Sequence, residues 1–231
     1  MSKIISFGNQ KGGVGKSTLT VMCANALSQH PFNYNVCIVD CDNQKSIVET
    51  RKFDQEDYEE DFPYEVYDMD IPLLQAQLNE MDKTFDFIFI DAAGKLDKEL
   101  PIEQQEISKI LMYVDYLFLP FRAGTFNLDA TLTYLEFVQK VYTIRKENNR
   151  PLHLHGLINM YRLRSRMNRF LIQEVEEVKN FANISFMENS LNNYTLYEDV
   201  DTITSYYEVN SKNKSKINFT LWFNELIKII F

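Results

Sequence analysis

The sequence predicts an α/β fold with a doubly wound, mostly parallel sheet covered by helices on both faces. Three observations predict it. Short apolar runs alternate with helical stretches along the whole chain, the pattern of βαβ units. Gly8, Asp40, Asp91 and Asn159 fall at the ends of such runs, and ligands in these folds bind at the carboxyl ends of strands. Three of the seven glycines lie between Lys11 and Lys16, where the first run meets the first helix and the backbone must do something unusual.

The elements follow in order. Lys3–Phe7 reads as a short buried strand closed by Gly8. Apolar residues recur at helical spacing over 17–29. The runs 36–39 and 87–90 read as strands, ended by Asp40 and Asp91, and 116–121 and 152–158 as two more. Between them 71–81, 102–112, 128–146 and 167–179 are helical in pattern. The stretch 211–216 is the most loop-like. The last segment, 217–231, is helical and carries Leu221, Trp222, Leu226, Ile227, Ile229 and Ile230. From Phe219 onward its one cation is Lys228, opposed by Glu225. A membrane-surface helix needs a basic polar face, so this helix is expected to pack on the sheet. No internal repeat or linker breaks the chain, which reads as one domain over 1–231.

Composition sets limits on function. At 231 residues, 45% hydrophobic and 13% aromatic, the chain is long enough for one sizeable core. A net charge of −9 argues against wholesale coating of nucleic acid or membrane, and leaves room for a local basic patch. The acidic run Glu56, Asp57, Glu59, Glu60 and Asp61 reads as a solvated loop. Cys23, Cys37 and Cys41 lack zinc-ligand spacing and read as small hydrophobes in a reducing compartment. His153 and His155 share one face of a strand with no third metal ligand in view. No signal peptide is evident, nor a run of about 18 uncharged apolar residues. A cytoplasmic protein with no membrane partner is expected.

The segment Gly8-Asn9-Gln10-Lys11-Gly12-Gly13-Val14-Gly15-Lys16-Ser17-Thr18 joins a strand to a helix, the context a phosphate-binding loop requires. Its backbone N–H groups would cradle phosphate oxygens, helped by the positive end of the helix. Lys16 is placed to reach the β- and γ-phosphates, and the Ser17 hydroxyl to ligate Mg²⁺. ATP and Mg²⁺ are therefore the expected cofactors.

The loop departs from the general pattern, with Gln10 at the first glycine position and Lys11 ahead of two glycines. In this it resembles the signature of the ParA/MinD family of deviant-Walker P-loop ATPases. The resemblance implies that Lys11 reaches across a nucleotide-sandwich dimer to the partner's γ-phosphate. Two further segments match. Ile38-Val39-Asp40-Cys41-Asp42-Asn43-Gln44 resembles the motif of two aspartates bracketing one residue, with Asn43 in place of the usual Pro. It implies that Asp42 positions the attacking water and Asp40 supports the metal side. Phe87-Ile88-Phe89-Ile90-Asp91-Ala92-Ala93-Gly94 resembles the Walker B strand. It implies that Asp91 holds Mg²⁺, while Gly94 leaves the backbone free to approach the γ-phosphate.

Beyond residue 95 the resemblance loosens. Gly156-Leu157-Ile158-Asn159 resembles the sixth strand, with Asn159 near the adenine, and 190–198, including Asn192, aligns with the loop that closes over the base. Arg162, Arg164, Arg166 and Arg169 form a local positive cluster. Members of the family that bind non-specific DNA carry basic residues here, with Arg164 at a matching position, so the resemblance implies DNA contact by Arg162, Arg164 and Arg166; on their own the arginines read equally as helix-start residues paired with surface carboxylates. Lys212, Lys214 and Lys216 are further candidates. The family reading implies an ATP-dependent homodimer, non-specific double-stranded DNA and a ParB-like stimulating protein in plasmid or chromosome partitioning. The chain opens directly on its first strand, so no helix-turn-helix reading of a specific operator is expected. The alternative is a MinD-like or conjugation-associated regulatory ATPase that contacts a protein or membrane instead.

Overall fold

The computed structural model describes residues 1–231 except 60, 98, 103 and 104, and leaves the side chains of 125–127 and 181 undescribed. Among the described residues, seven strands alternate with seven helices in the order β1 (Lys3–Phe7), α1 (Lys16–Ser28), β2 (Val36–Asp40), α2 (Ser46–Asp57), β3 (Glu65–Asp68), α3 (Ile71–Thr84), β4 (Phe87–Asp91), α4 (Glu106–Leu111), β5 (Tyr116–Phe121), α5 (Thr125–Glu147), β6 (His153–Ile158), α6 (Arg166–Phe181), β7 (Ser185–Phe186) and α7 (Lys214–Ile230), with a 3-10 turn at Thr195–Tyr197 before α7. They form one sheet of order β3-β2-β4-β1-β5-β6-β7, and every pairing is parallel.

A parallel strand buried on both faces is apolar throughout, and its residues alternate between two cores. In β4, Phe87 and Phe89 join one core while Ile88 and Ile90 join the other. The first core lies under α1 and α7, with Leu19, Met22, Phe219, Trp222 and Leu226. The second lies under α3, α4, α5 and α6, with Leu74, Ile110, Val138 and Val175. β1 sits between β4 and β5, so the chain winds outward from it in both directions. That is the switch point at which a crevice opens at the carboxyl ends.

Several elements depart from the sequence reading. α2 was not expected, because Ile47 and Arg51 are its only buried residues. β3 and β7 are too short and too exposed to carry an apolar run. α7 begins at Lys214, inside the stretch expected to be loop, because the Asn213 side chain caps it by accepting from Ser215 N at 3.0 Å. Glu56 and Asp57 close α2 and are not in a loop, Glu59 and Asp61 follow it, and Glu60 lies outside the described residues. The helix expected over 102–112 is the shorter α4, and its expected positions 103 and 104 lie outside the described residues. No described helix is long and apolar enough to cross a membrane.

Candidate nucleotide site

β1 ends at the centre of the sheet, and the residues after it are held by β5. Gly8 N donates to Phe118 O at 2.9 Å. Asn9 is fully buried; its Nδ2 donates to Pro120 O at 3.0 Å and to Thr131 Oγ1 at 2.7 Å, and its Oδ1 accepts from Lys11 N. A buried asparagine with both ends satisfied fixes the path of the chain. Gly12 and Gly13 are exposed and Val14 is buried. Gly15 has φ +92°, and a Cβ there would lie 2.6 Å from Asn159 Nδ2, so only glycine fits.

α1 starts at Lys16 with no capping side chain and no acidic residue in its first turn. The first N–H groups of a helix have no partner within it, so the turn Lys16, Ser17, Thr18 offers donors and the positive end of the helix to an anion. The Ser17 hydroxyl donates to Asp91 Oδ2 at 2.6 Å. Asp91 is buried, and its Oδ1 has no hydrogen-bond partner among the described residues. Burial first, then the neighbouring Asp40 and Asp42, raises its carboxyl to about 7, against the Ser17 hydrogen bond and Lys16. A hydroxyl beside a buried carboxylate with one open oxygen is the donor set a Mg²⁺ ion takes.

Asp40 and Asp42 do different things. Asp40 is fully buried, and its two oxygens accept from the backbone N–H of Asp42, Ile47 and Val48 at 3.1 to 3.3 Å. It therefore caps the start of α2 from the neighbouring strand end. Burial raises its carboxyl even so. The half-exposed Asp42 accepts from Gln44 N at 3.0 Å. Lys11 is exposed. Gly94 lies against the phosphate loop: a Cβ on it would overlap the Asn9 carbonyl.

The base end is nearly closed. A cavity of about 30 Å³ is lined by Thr18, Leu19, Met22, Asn159, Asn192 and Tyr194 among others. Asn159 lies there, but its amide is engaged: Nδ2 donates to Val14 O and Oδ1 accepts from Met160 N, both at 2.9 Å. Asn192 N donates to Asn218 Oδ1 at 2.8 Å, and Asn192 bridges to Tyr161.

Arg162, Arg164, Arg166 and Arg169 are exposed, and none is ion-paired among the described residues. With the Asn193 amide turned so that its oxygen faces Arg162, it accepts from Nε and Nη2 at 3.2 and 3.1 Å. Exposed Leu163, Met167 and Phe170 interleave with the arginines. Lys212 and Lys214 are exposed, while Lys216 pairs with Glu208 at 2.6 Å. His153 and His155 stack on Tyr116 and Phe118, and the described residues hold no metal-ligand cluster.

Two residues at the crevice escape sequence reading. Lys45 donates to Asp40 O and pairs with Asp68 at 2.6 Å, tying β2 to β3. Arg122 donates from Nη1 to Gly13 O at 2.6 Å. Arg122 directly follows the end of β5, the kind of position that singled out Asp40 and Asp91, whereas Lys45 lies at the start of α2. A larger cavity of about 580 Å³ opens at the opposite end of the sheet, beside Lys3, Asp82, Asp115 and Arg145. Its charges are spent on the fold. Arg145 donates to the carbonyls of Leu111, Val114, Arg150 and Pro151, and Asp115 accepts from Ile4 N.

A parallel sheet with a glycine-rich loop at its switch point, a bare helix start and a serine–aspartate pair beside it define a phosphate-loop nucleotide-binding protein. The chain belongs to the CobQ/CobB/MinD/ParA nucleotide-binding domain family, whose model matches residues 5–203. A comparison with curated sequences gives no significant match. Among solved structures the fold is similar to a plasmid partition protein of Borrelia burgdorferi B31 bound to AMPPNP, at 18% identity and TM-score 0.66, covering 99% of this chain and 98% of that one. It is similar to McdA of Cyanothece at 17% identity and TM-score 0.67, covering 100% of both chains. It is also similar to the Mycobacterium smegmatis cobyrinic acid a,c-diamide synthase bound to ADP and magnesium, at 16% identity and TM-score 0.66, covering 99% and 95%.

Proposed function

We propose that the chain is a ParA-type switch that binds ATP, hydrolyses it slowly, and forms a sandwich dimer while ATP is bound. The observation that carries this reading is the pairing of Ser17 with a buried Asp91 at the foot of an uncapped, glycine-entered helix. Mg²⁺ would sit with Ser17 and Asp91 and neutralise charge between the β- and γ-phosphates. Lys16 would hold those phosphates from the first turn of α1. Asp42, half-exposed beside Asp91, would orient the attacking water. Lys11, exposed, would act on the partner's γ-phosphate as a second cation. Opening of the narrow base cavity would admit adenine beside Asn159 and Asn192. Titration with a fluorescent ATP analogue tests the assignment. Lys16→Ala should lose binding because the β- and γ-phosphates lose their cation, and wild-type affinity in that variant would contradict it.

The dimer would bind non-specific duplex DNA through Arg162, Arg164 and Arg166, be stimulated by a ParB-like protein, and serve partitioning of DNA. The arginines' exposure without carboxylate partners among the described residues supports this. A second reading, a protein-contacting regulatory ATPase, is favoured by Leu163, Met167 and Phe170, which interleave apolar surface with the same arginines.

A further inference from the structure

Arg122 lies outside every motif in the chain, yet its side chain reaches the phosphate loop. The carboxyl end of β5 runs alongside that loop and grips it at every second residue. Phe118 O accepts from Gly8 N at 2.9 Å, and Pro120 O accepts from Asn9 Nδ2 at 3.0 Å. Arg122 then donates from Nη1 to Gly13 O at 2.6 Å. The carbonyls of 118 and 120 both face β1, and Arg122 is the first residue past the end of β5. At the third rung a charged side chain takes over from the backbone carbonyls.

That placement has a chemical consequence. The phosphate loop runs from β1 to α1; its backbone N–H groups would cradle the α- and β-phosphates, and Lys16 at its helix end would reach the β- and γ-phosphates. Gly13 is an exposed residue of that loop, three before Lys16, so a guanidinium seated on its carbonyl stands at the open rim of the cradle and would meet the outermost phosphate of a bound triphosphate. A guanidinium carries five N–H donors in a planar fork. One is used on Gly13 O, and Arg122 has no ion pair and no other hydrogen bond among the described residues. The remaining donors are free to meet a phosphate oxygen without giving up the loop.

We propose that Arg122 is a cation supplied by the chain itself to the terminal phosphate of a bound nucleoside triphosphate, so that it sets the preference for tri- over diphosphate. This rests on the nucleotide-binding reading of the loop. It also gives the Gly13 contact a purpose: Gly13 O orients the guanidinium, and the guanidinium fixes the loop carbonyl outward. Lys11 would then act from the partner subunit and Arg122 from within.

The test is calorimetric titration of wild type, Arg122→Ala and Arg122→Lys with AMPPNP and with ADP, in Mg²⁺. Arg122→Ala should bind AMPPNP roughly 10-fold or more weakly, the size of one charged hydrogen bond, and ADP within about 2-fold of wild type. Arg122→Lys should recover most of the AMPPNP affinity, because a point charge still reaches a phosphate. Retained ADP affinity shows that each variant is folded with its loop intact. Equal loss for both nucleotides would make Arg122 only a prop for Gly13 and overturn the proposal. So would unchanged AMPPNP affinity in Arg122→Ala, or a Lys variant as weak as the Ala variant. A wild-type chain that binds neither nucleotide would instead overturn the nucleotide-binding reading, and Arg122's role with it.

Discussion

Asp91 shows what a single residue gives up for this site. Burial without a partner for Oδ1 raises its carboxyl from 3.8 to about 7. The folded chain therefore holds a proton that the unfolded chain releases near the ordinary carboxylate value. The stability tied to that proton is present below the unfolded value and is lost as pH rises through about 7. Asp91→Asn should flatten this loss. The Tm of the nucleotide-free variant should exceed wild type at pH 8 and converge with it toward pH 4, the underlying stability difference being at most about 4 kcal/mol, while Mg²⁺-dependent ATP binding falls. Thermal melts from pH 4 to 8 read this directly, and parallel curves would contradict it. Asp91, Ser17 and Lys16 were legible in the sequence because their spacing from strand end and helix start is fixed. The capping role of Asp40 was not legible from residue type alone, since a strand-end aspartate can face a ligand or a helix. Its acceptance from Ile47 N and Val48 N shows that it does the latter.

At the scale of elements, strands and helices with apolar faces were legible to within a few residues, because burial imposes its period on them. β1 and β5 match their expected bounds in full. α2 was not legible, because its start is held by a carboxylate from another element and its apolar face is slight. Arg122 follows a strand end, but its reach to Gly13 was not legible, because nothing local says that β5 lies beside β1. α7 behaves as its weakly basic face predicted, since Phe219, Trp222, Phe223, Leu226 and Ile230 are all fully buried in the core beside α1. The segment after β4 is equally committed. Gly94 packs its backbone on Asn9, so Gly94→Ala must push the two segments apart. Overpacking of this kind costs about 1–3 kcal/mol, and the displaced loop should lose ATP affinity as well. A Gly94→Ala chain with wild-type Tm and wild-type titration would show that the contact is soft.

The whole molecule carries a net charge of −9, which opposes DNA at long range, so any contact depends on the local arginines. One subunit would make few phosphate contacts, and an ATP-linked dimer would present two patches. If the dimer neutralises about four to six phosphates, log affinity should fall against log salt with a slope of roughly −4 to −5. Arg164→Glu should weaken binding to all duplex sequences alike and leave dimerisation intact. Polarisation over a salt series reads both, and a proven dimer that ignores random duplex at low salt would favour the protein-contacting reading. The proposed switch can be tested before any DNA is added, since ATP would bring two copies of the chain together. Light scattering with ATP and Mg²⁺, on wild type and Lys11→Ala, tests it most directly. Wild type should move from the mass of one chain to that of two, while Lys11→Ala binds ATP and stays at one. A wild type that stays single with ATP bound, or a Lys11→Ala dimer as complete as wild type, would contradict it.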